Sequence, residues 1–128
     1  MWGEITLRAL IIGVGQCGTK IADLFALVDF EALAINTSKS DLDYLKHIPK
    51  ERRILIGESL TGGKGVNANP ILGREAMKRD LSMVMKKINA MVGYSDVDIF
   101  FLTFGFGGGT GSGGAPILAE ALKDEYPD

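Results

Sequence analysis

Cysteine is almost absent from this chain: Cys17 stands alone among 128 residues. An internal disulfide is therefore impossible, and the composition implies a reducing compartment. Histidine is as scarce. His47 has no second histidine to join it in a zinc cluster, and its place beside Lys46 and Pro49 suggests a surface position. No apolar run reaches the roughly 18–20 residues that a membrane span requires. The opening Met1-Trp2-Gly3-Glu4 lacks the basic-then-apolar signature of a secretory leader. Neither sign of charge is in excess, with Lys+Arg 14 against Asp+Glu 16 and a net charge of −2. A basic stripe with interleaved aromatics is missing, so nucleic acid is not an expected direct partner. These absences exclude secreted, membrane-spanning and nucleic-acid-coating classes. They leave a cytoplasmic globular domain as the expectation. The hydrophobic share of 46% and the charged share of 23% are ordinary for that class, and the length suits one domain with a modest core.

Glycine is what the chain has in plenty: 17 residues, about twice the usual share. The richest stretch is Gly107-Gly108-Gly109-Thr110-Gly111-Ser112-Gly113-Gly114. It follows an apolar segment, residues 97–104, that reads as a strand with two buried faces, expected to lie centrally in a parallel sheet. A helix is expected from Pro116. Strand, glycine run and helix start together offer backbone N–H groups and a positive dipole end to an anion, a phosphate cradle without a Walker lysine.

The rest of the chain alternates in the same way. Residues 7–12 read as a strand, then comes Gly13-Val14-Gly15-Gln16-Cys17-Gly18. A helix with Ile21, Ala22, Leu24, Phe25 and Val28 at helical spacing follows. Residues 30–35 form a second strand running into Asn36-Thr37-Ser38. Ser40 or Asp41 can cap a short helix that reaches Leu45. Residues 53–56 form a third strand, followed by a loop over 57–69. Asn69-Pro70 is a strong helix start, and Met77, Leu81, Val84, Ile88 and Met91 step along one apolar stripe to about Gly93. The fold class is α/β, a Rossmann-like doubly wound, mainly parallel sheet. Four loops then fall at carboxyl ends of strands, the edge where open α/β sheets bind ligands.

Gly13-x-Gly15-x-x-Gly18 matches the dinucleotide fingerprint, which admits a dinucleotide-binding oxidoreductase domain. That fingerprint also wants an acidic residue at the end of the second strand, where this chain has Asn36. A third reading is a non-catalytic interaction module of the same fold. Other features read as structural. Cys17 fits a small residue packed in a tight loop. Met77, Met83, Met85 and Met91 fit helix packing, Lys50-Glu51-Arg52-Arg53 a solvated turn, and Asp96 and Asp98 solvated positions beside a strand.

The run from Gly105 to Gly113 matches the tubulin signature GGGTGSG, and Gly15-Gln16-Cys17-Gly18 matches the GQCG of tubulin's first loop. Ala34-Ile35-Asn36-Thr37 and the stretch from Leu60 to Pro70 are similar to the second and third loops of FtsZ. The chain thus resembles the N-terminal part of the tubulin/FtsZ superfamily over nearly its whole length, with a mixture that suggests a prokaryotic branch. The resemblance implies a GTPase that binds GTP and GDP with Mg2+ and assembles head to tail with itself, with adaptor proteins as further partners. It implies that Gly15, Gln16, Cys17 and Gly18 contact the α- and β-phosphates, and that Lys20 and Asn36 lie near the nucleotide. Val66 and Asn67 would lie at the γ-phosphate, and Gly107, Gly108, Gly109, Thr110, Gly111 and Ser112 would wrap the phosphates. Two departures bear on this. Ser38 replaces an aspartate of FtsZ's second loop, and Asn67-Ala68 replaces a glycine pair in the third. The resemblance places the ribose and base contacts, and the acidic loop that acts on a neighbour's nucleotide, beyond Asp128. Residues 1–128 are accordingly expected to be a partial GTP-binding domain holding no catalytic residue.

Overall fold

The computed structural model describes residues 7–128. Four parallel strands form one sheet in the order β3-β2-β1-β4, where β1 is Ala9–Val14, β2 Glu31–Asn36, β3 Arg53–Leu55 and β4 Ile99–Thr103. Ile11 of β1 faces Ala32 on one side and Phe101 on the other, so β1 is hydrogen-bonded along both edges. It is also buried on both faces: Leu10, Ile11 and Ile12 are at most 2% exposed.

The segment expected to be a central strand, residues 97–104, supplies β4, which pairs with β1 along one edge and has no partner along the other among the described strands. Its Ile99 and Phe101 are 38% and 49% exposed. Apolar residues on both faces report what covers a strand above and below. They carry no information about pairing at its edges.

Helix α1 (Gly15–Leu27) packs on one face of the sheet, where Ala22 joins Ile11, Ala32, Ala34, Leu42, Leu45 and Ile48. Helices α4 (Pro70–Ser95) and α5 (Gly109–Glu125) pack on the other. Met77, Val84 and Ile88 of the expected stripe are fully buried there, with Leu81 and Met91 packed beside them. Met83 and Met85 also pack against this core, as helix packing required. Two short helices complete the chain, α2 (Lys39–Asp43) and α3 (Glu58–Thr61). The second of these lies inside the segment expected to be loop. No described helix is long and apolar enough to cross a membrane.

Three boundaries moved for physical reasons. Helix α2 is capped by Ser38, whose Oγ accepts the Asp41 N–H at 3.3 Å, rather than by Ser40 or Asp41. Helix α4 runs to Ser95 and stops at Asp96, which takes a left-handed conformation at φ 48°. Helix α5 starts at Gly109, seven residues before Pro116. Glycine and proline weaken a helix, so local propensity argues against this start. Packing overrides it: a Cβ on Gly113 would lie 1.9 Å from the Pro70 carbonyl oxygen, and one on Gly109 2.5 Å from the Asn69 nitrogen. The first turns of α4 and α5 cross so closely that only glycine fits. Half of the glycine run thus serves a helix crossing.

Candidate functional site

Strands β1, β2 and β3 step one way across the sheet and β4 the other, so the chain reverses between β1 and β4. Such a reversal opens a crevice at the carboxyl ends of the strands. A cavity of about 360 Å³ lies there. The first loop contributes Gly15, Gln16 and Cys17, the second Asn36, Thr37 and Ser38, the third residues 64–68, and the glycine run Gly107 to Gly111. All four sequence-predicted loops meet in it.

Two helices begin at this cavity without a side-chain cap. Val14 precedes α1 and Gly108 precedes α5, and neither offers an acceptor. The first three N–H groups of each helix have no intrahelical acceptor. The two starts nearly touch, since a Cβ on Gly15 would stand 2.9 Å from the Gly111 nitrogen. Gly15 is itself left-handed (φ 80°), which sets the sharp entry from β1 into α1. Helix α4 begins beside them, yet its first N–H groups are already satisfied: Asn69 Oδ1 accepts from Ile71 and Leu72. The unsatisfied positive ends at this cavity are therefore those of α1 and α5, and they converge on one volume.

Hydrogen bonds fix the loops to one another. Thr37 Oγ1 and Thr110 Oγ1 are 2.7 Å apart, both buried, tying the second loop to the start of α5. The third loop is stitched to the second: Lys39 N–H donates to the Gly63 carbonyl at 2.9 Å and Gly65 N–H to the Thr37 carbonyl at 3.1 Å. Asn67 and Ala68 are both left-handed, at φ 51° and 59°. A side chain there costs about 1–2 kcal/mol, so the loop keeps a glycine-like shape although both glycines are replaced. Asn36 Oδ1 accepts the Thr37 N–H at 2.8 Å, and its Nδ2 is buried without a partner among the described residues. A buried donor left unmatched costs about 1–3 kcal/mol, which a ligand oxygen would offset.

Not every sequence-predicted residue lies in the cavity wall. Gly18 packs instead against β4: its Cβ would stand 2.1 Å from the Thr103 carbonyl oxygen, and its own carbonyl accepts from Thr103 Oγ1. Lys20 is one helical turn beyond Gln16 and lines a neighbouring groove with Asp23, Leu24 and Tyr44. Ser112 turns its hydroxyl back to the Gly108 carbonyl. Cys17 is exposed and forms part of the wall, contrary to the packed position expected of it. It lies on the open side of the first turn of α1. His47 is exposed, as expected.

Sequence reasoning placed Thr37, Ser38, Lys64 and Ala68 in the converging loops without assigning them a ligand contact, and it passed over Asp41 as a wall residue. For Lys64 a signal existed: a lone cation inside Gly62-Gly63-Lys64-Gly65 at a strand's carboxyl end. Among the described residues no three His, Cys, Asp or Glu side chains cluster in a way that could hold a metal ion. Asp41 is the one carboxylate in the cavity wall. That donor set suits Mg2+, which is commonly bound through one or two carboxylates and completes its shell with substrate phosphate oxygens and water.

A doubly wound parallel sheet with helices on both faces and loops meeting at its switch point is the architecture of a Rossmann-like α/β domain. The model of the family described as Tubulin/FtsZ family, GTPase domain, matches residues 8–128, and the chain belongs to that family. It is 84% identical over 122 residues to the tubulin-like protein CetZ of Pyrococcus horikoshii, covering 95% of this chain and 33% of the relative. Among solved structures it is similar to a GDP-bound monomer of CetZ1 from Haloferax volcanii, with TM-score 0.89 and 42% identity over 95% of this chain and 39% of that one. It is also similar to a GTPγS-bound protofilament of CetZ2 from the same organism, with TM-score 0.85 and 36% identity over 94% and 37%. The chain spans about a third of the length of the curated relatives it matches.

Proposed function

We propose that this chain is the phosphate-binding portion of a GTP-binding, filament-forming cytoskeletal GTPase of the tubulin/FtsZ type. The observation that carries the reading is the convergence of the uncapped starts of α1 and α5 on one cavity at the switch point. Micromolar affinity corresponds to about 8 kcal/mol, and hydrogen bonds to a charged group contribute about 1.5–3 kcal/mol each. A handful of N–H groups from the two first turns supplies that without a Walker lysine. Gln16, Cys17 and Gly109 to Gly111 hold the inner phosphates in this reading, and the unpartnered Asn36 Nδ2 donates a hydrogen bond to a ligand oxygen. Mg2+, when bound, would neutralise phosphate charge, and Asp41 would be the cavity carboxylate available to its water shell.

Head-to-tail assembly with further copies, with the neighbour completing hydrolysis, belongs to the same reading. So do a cytoplasmic setting and the placement of residues 1–128 as the N-terminal part of a larger GTPase domain. The CetZ2 protofilament and the family match support it. An oxidoreductase reading is not favoured: Asn36 stands where a dinucleotide site needs a carboxylate.

Titration of GTP, ATP and NAD against the chain tests this reading. Saturable GTP binding with no NAD response is expected. NAD binding in the absence of GTP binding overturns it.

A further inference from the structure

We propose that Thr37 is a positioning residue: its hydroxyl donates to Thr110 and leaves the Thr110 hydroxyl proton for a phosphate oxygen in the cavity. The inference rests on the GTP-binding reading and deepens it.

The two hydroxyl oxygens are 2.7 Å apart, with Thr37 fully buried and Thr110 5% exposed. The backbone of Thr37 is held on both sides. Its N–H donates to Asn36 Oδ1 at 2.8 Å, and its carbonyl accepts from Gly65 N–H at 3.1 Å. Its methyl group faces Gly57, whose Cβ would stand 3.7 Å from it. A β-branched side chain has few χ1 choices, so placing the methyl there keeps the hydroxyl on Thr110. Thr110 in turn stands where the two open helix starts meet: a Cβ on Gly15 would lie 3.7 Å from Thr110 Cβ.

The proton count sets the direction of the bond. Each hydroxyl carries one proton and can also accept. The pair holds two protons, and the bond between them uses one. Neither hydroxyl has a second partner among the described residues. Were Thr110 the donor, the surplus proton would belong to Thr37, sealed from solvent and without an acceptor, which is costly. With Thr37 as donor it belongs to Thr110, the member of the pair that keeps some exposure at the cavity wall. Ser112 supplies the contrast, since its hydroxyl goes back to the Gly108 carbonyl one turn earlier. Thr110 is the second residue of α5, so the carbonyl one turn before it, at Phe106, lies outside the helix. Accepting from Thr37 also polarises the Thr110 hydroxyl and makes it a better donor. The second loop thus acts on a phosphate through the start of α5.

Calorimetric titration of GTP into the chain tests this, with Thr37→Val, Thr37→Ser, Thr110→Val and the double valine variant beside the unaltered protein. Valine replaces the hydroxyl by a methyl group, whereas serine keeps it. Thr37→Val is expected to weaken GTP binding about tenfold, and Thr37→Ser to stay within about twofold. The double variant should lose no more than Thr110→Val alone, because Thr37 acts only through Thr110. Losses that add, or an unchanged affinity in Thr37→Val, overturn the role while leaving nucleotide binding intact. If the unaltered chain does not bind GTP, the underlying reading fails and this inference fails with it. Circular dichroism melts fix a titration temperature below the onset of unfolding of every variant, so a purely structural role for Thr37 would leave the affinity unmoved.

Discussion

The four helices that start around the cavity begin in two ways. Those of α2 and α4 are closed by their own sequence, with Ser38 and Asn69 accepting the first N–H groups. Those of α1 and α5 follow Val14 and Gly108 and are left open. Capping is worth about 1 kcal/mol, so leaving two longer helices uncapped forgoes stability. Both open ends face the one cavity at the switch point. Where the chain satisfies its own donors it builds a scaffold, and where it does not it leaves room for an anion.

The largest effect should come from breaking the crossing that brings α5 to the cavity. Gly113→Val would place a branched side chain where even a Cβ meets the Pro70 carbonyl at 1.9 Å. Backbone cannot yield as a side-chain tip can, so a loss above about 3 kcal/mol is expected, enough to unfold a marginal domain. Chemical denaturation followed by circular dichroism measures it. Gly107→Val should leave the melting curve nearly unchanged, because nothing lies within 4 Å of its Cβ and it lies outside the cap of α5.

That contrast marks what was legible in the sequence. The strand–loop–helix alternation, the core stripe of α4 and the four loops at one edge all follow from periodicity and turn residues. The division of labour within the glycine run does not. Gly107 and Gly113 read alike in sequence, yet one borders open space and the other a backbone carbonyl. Only the crossing of α4 and α5, a long-range fact, separates them. The same holds for Gly18 and Lys20, which share a motif with Gln16 and Cys17 but face β4 and a neighbouring groove.

Asp23 sharpens the comparison from the closed side. Its carboxylate, 8% exposed, accepts the N–H groups of Lys46, His47 and Ile48 at 2.9–3.0 Å. It does for that turn what a bound phosphate would do for α1 and α5. Burial alone would push the carboxyl up, but the N–H donors of Lys46, Ile48 and His47 together outweigh it, and its pKa lies below the ordinary carboxylate value. A depressed folded pKa contributes stability that is fully present above the unfolded value, near pH 4, and is lost as pH falls through the folded one. Asp23→Ala should cost about 1–3 kcal/mol at neutral pH by stranding those donors. Its acid unfolding limb, followed by fluorescence or circular dichroism, should be shallower than that of the unaltered chain. Equal acid limbs would remove Asp23 from the account.

The smallest effect separates the two kinds of helix start most directly, because one change made at each should act in opposite directions. Asn69→Ala opens the closed end of α4, removing the acceptor for Ile71 and Leu72 N–H. About 1 kcal/mol of stability should be lost, with nucleotide affinity kept once the chain is folded. Gly108→Asp closes the open end of α5 with a carboxylate that accepts the same N–H groups a phosphate would take. Stability should rise by a few tenths of a kcal/mol, because an aspartate cap replaces glycine. Phosphate binding should fall at least tenfold, because the donors are occupied and the new charge repels the ligand. A variant that is more stable and binds worse is hard to obtain by general damage to the fold. Thermal melts paired with GTP titration would show whether the two quantities move apart; if both fall together, the open ends are ordinary helix termini and the cavity owes its ligand to something else.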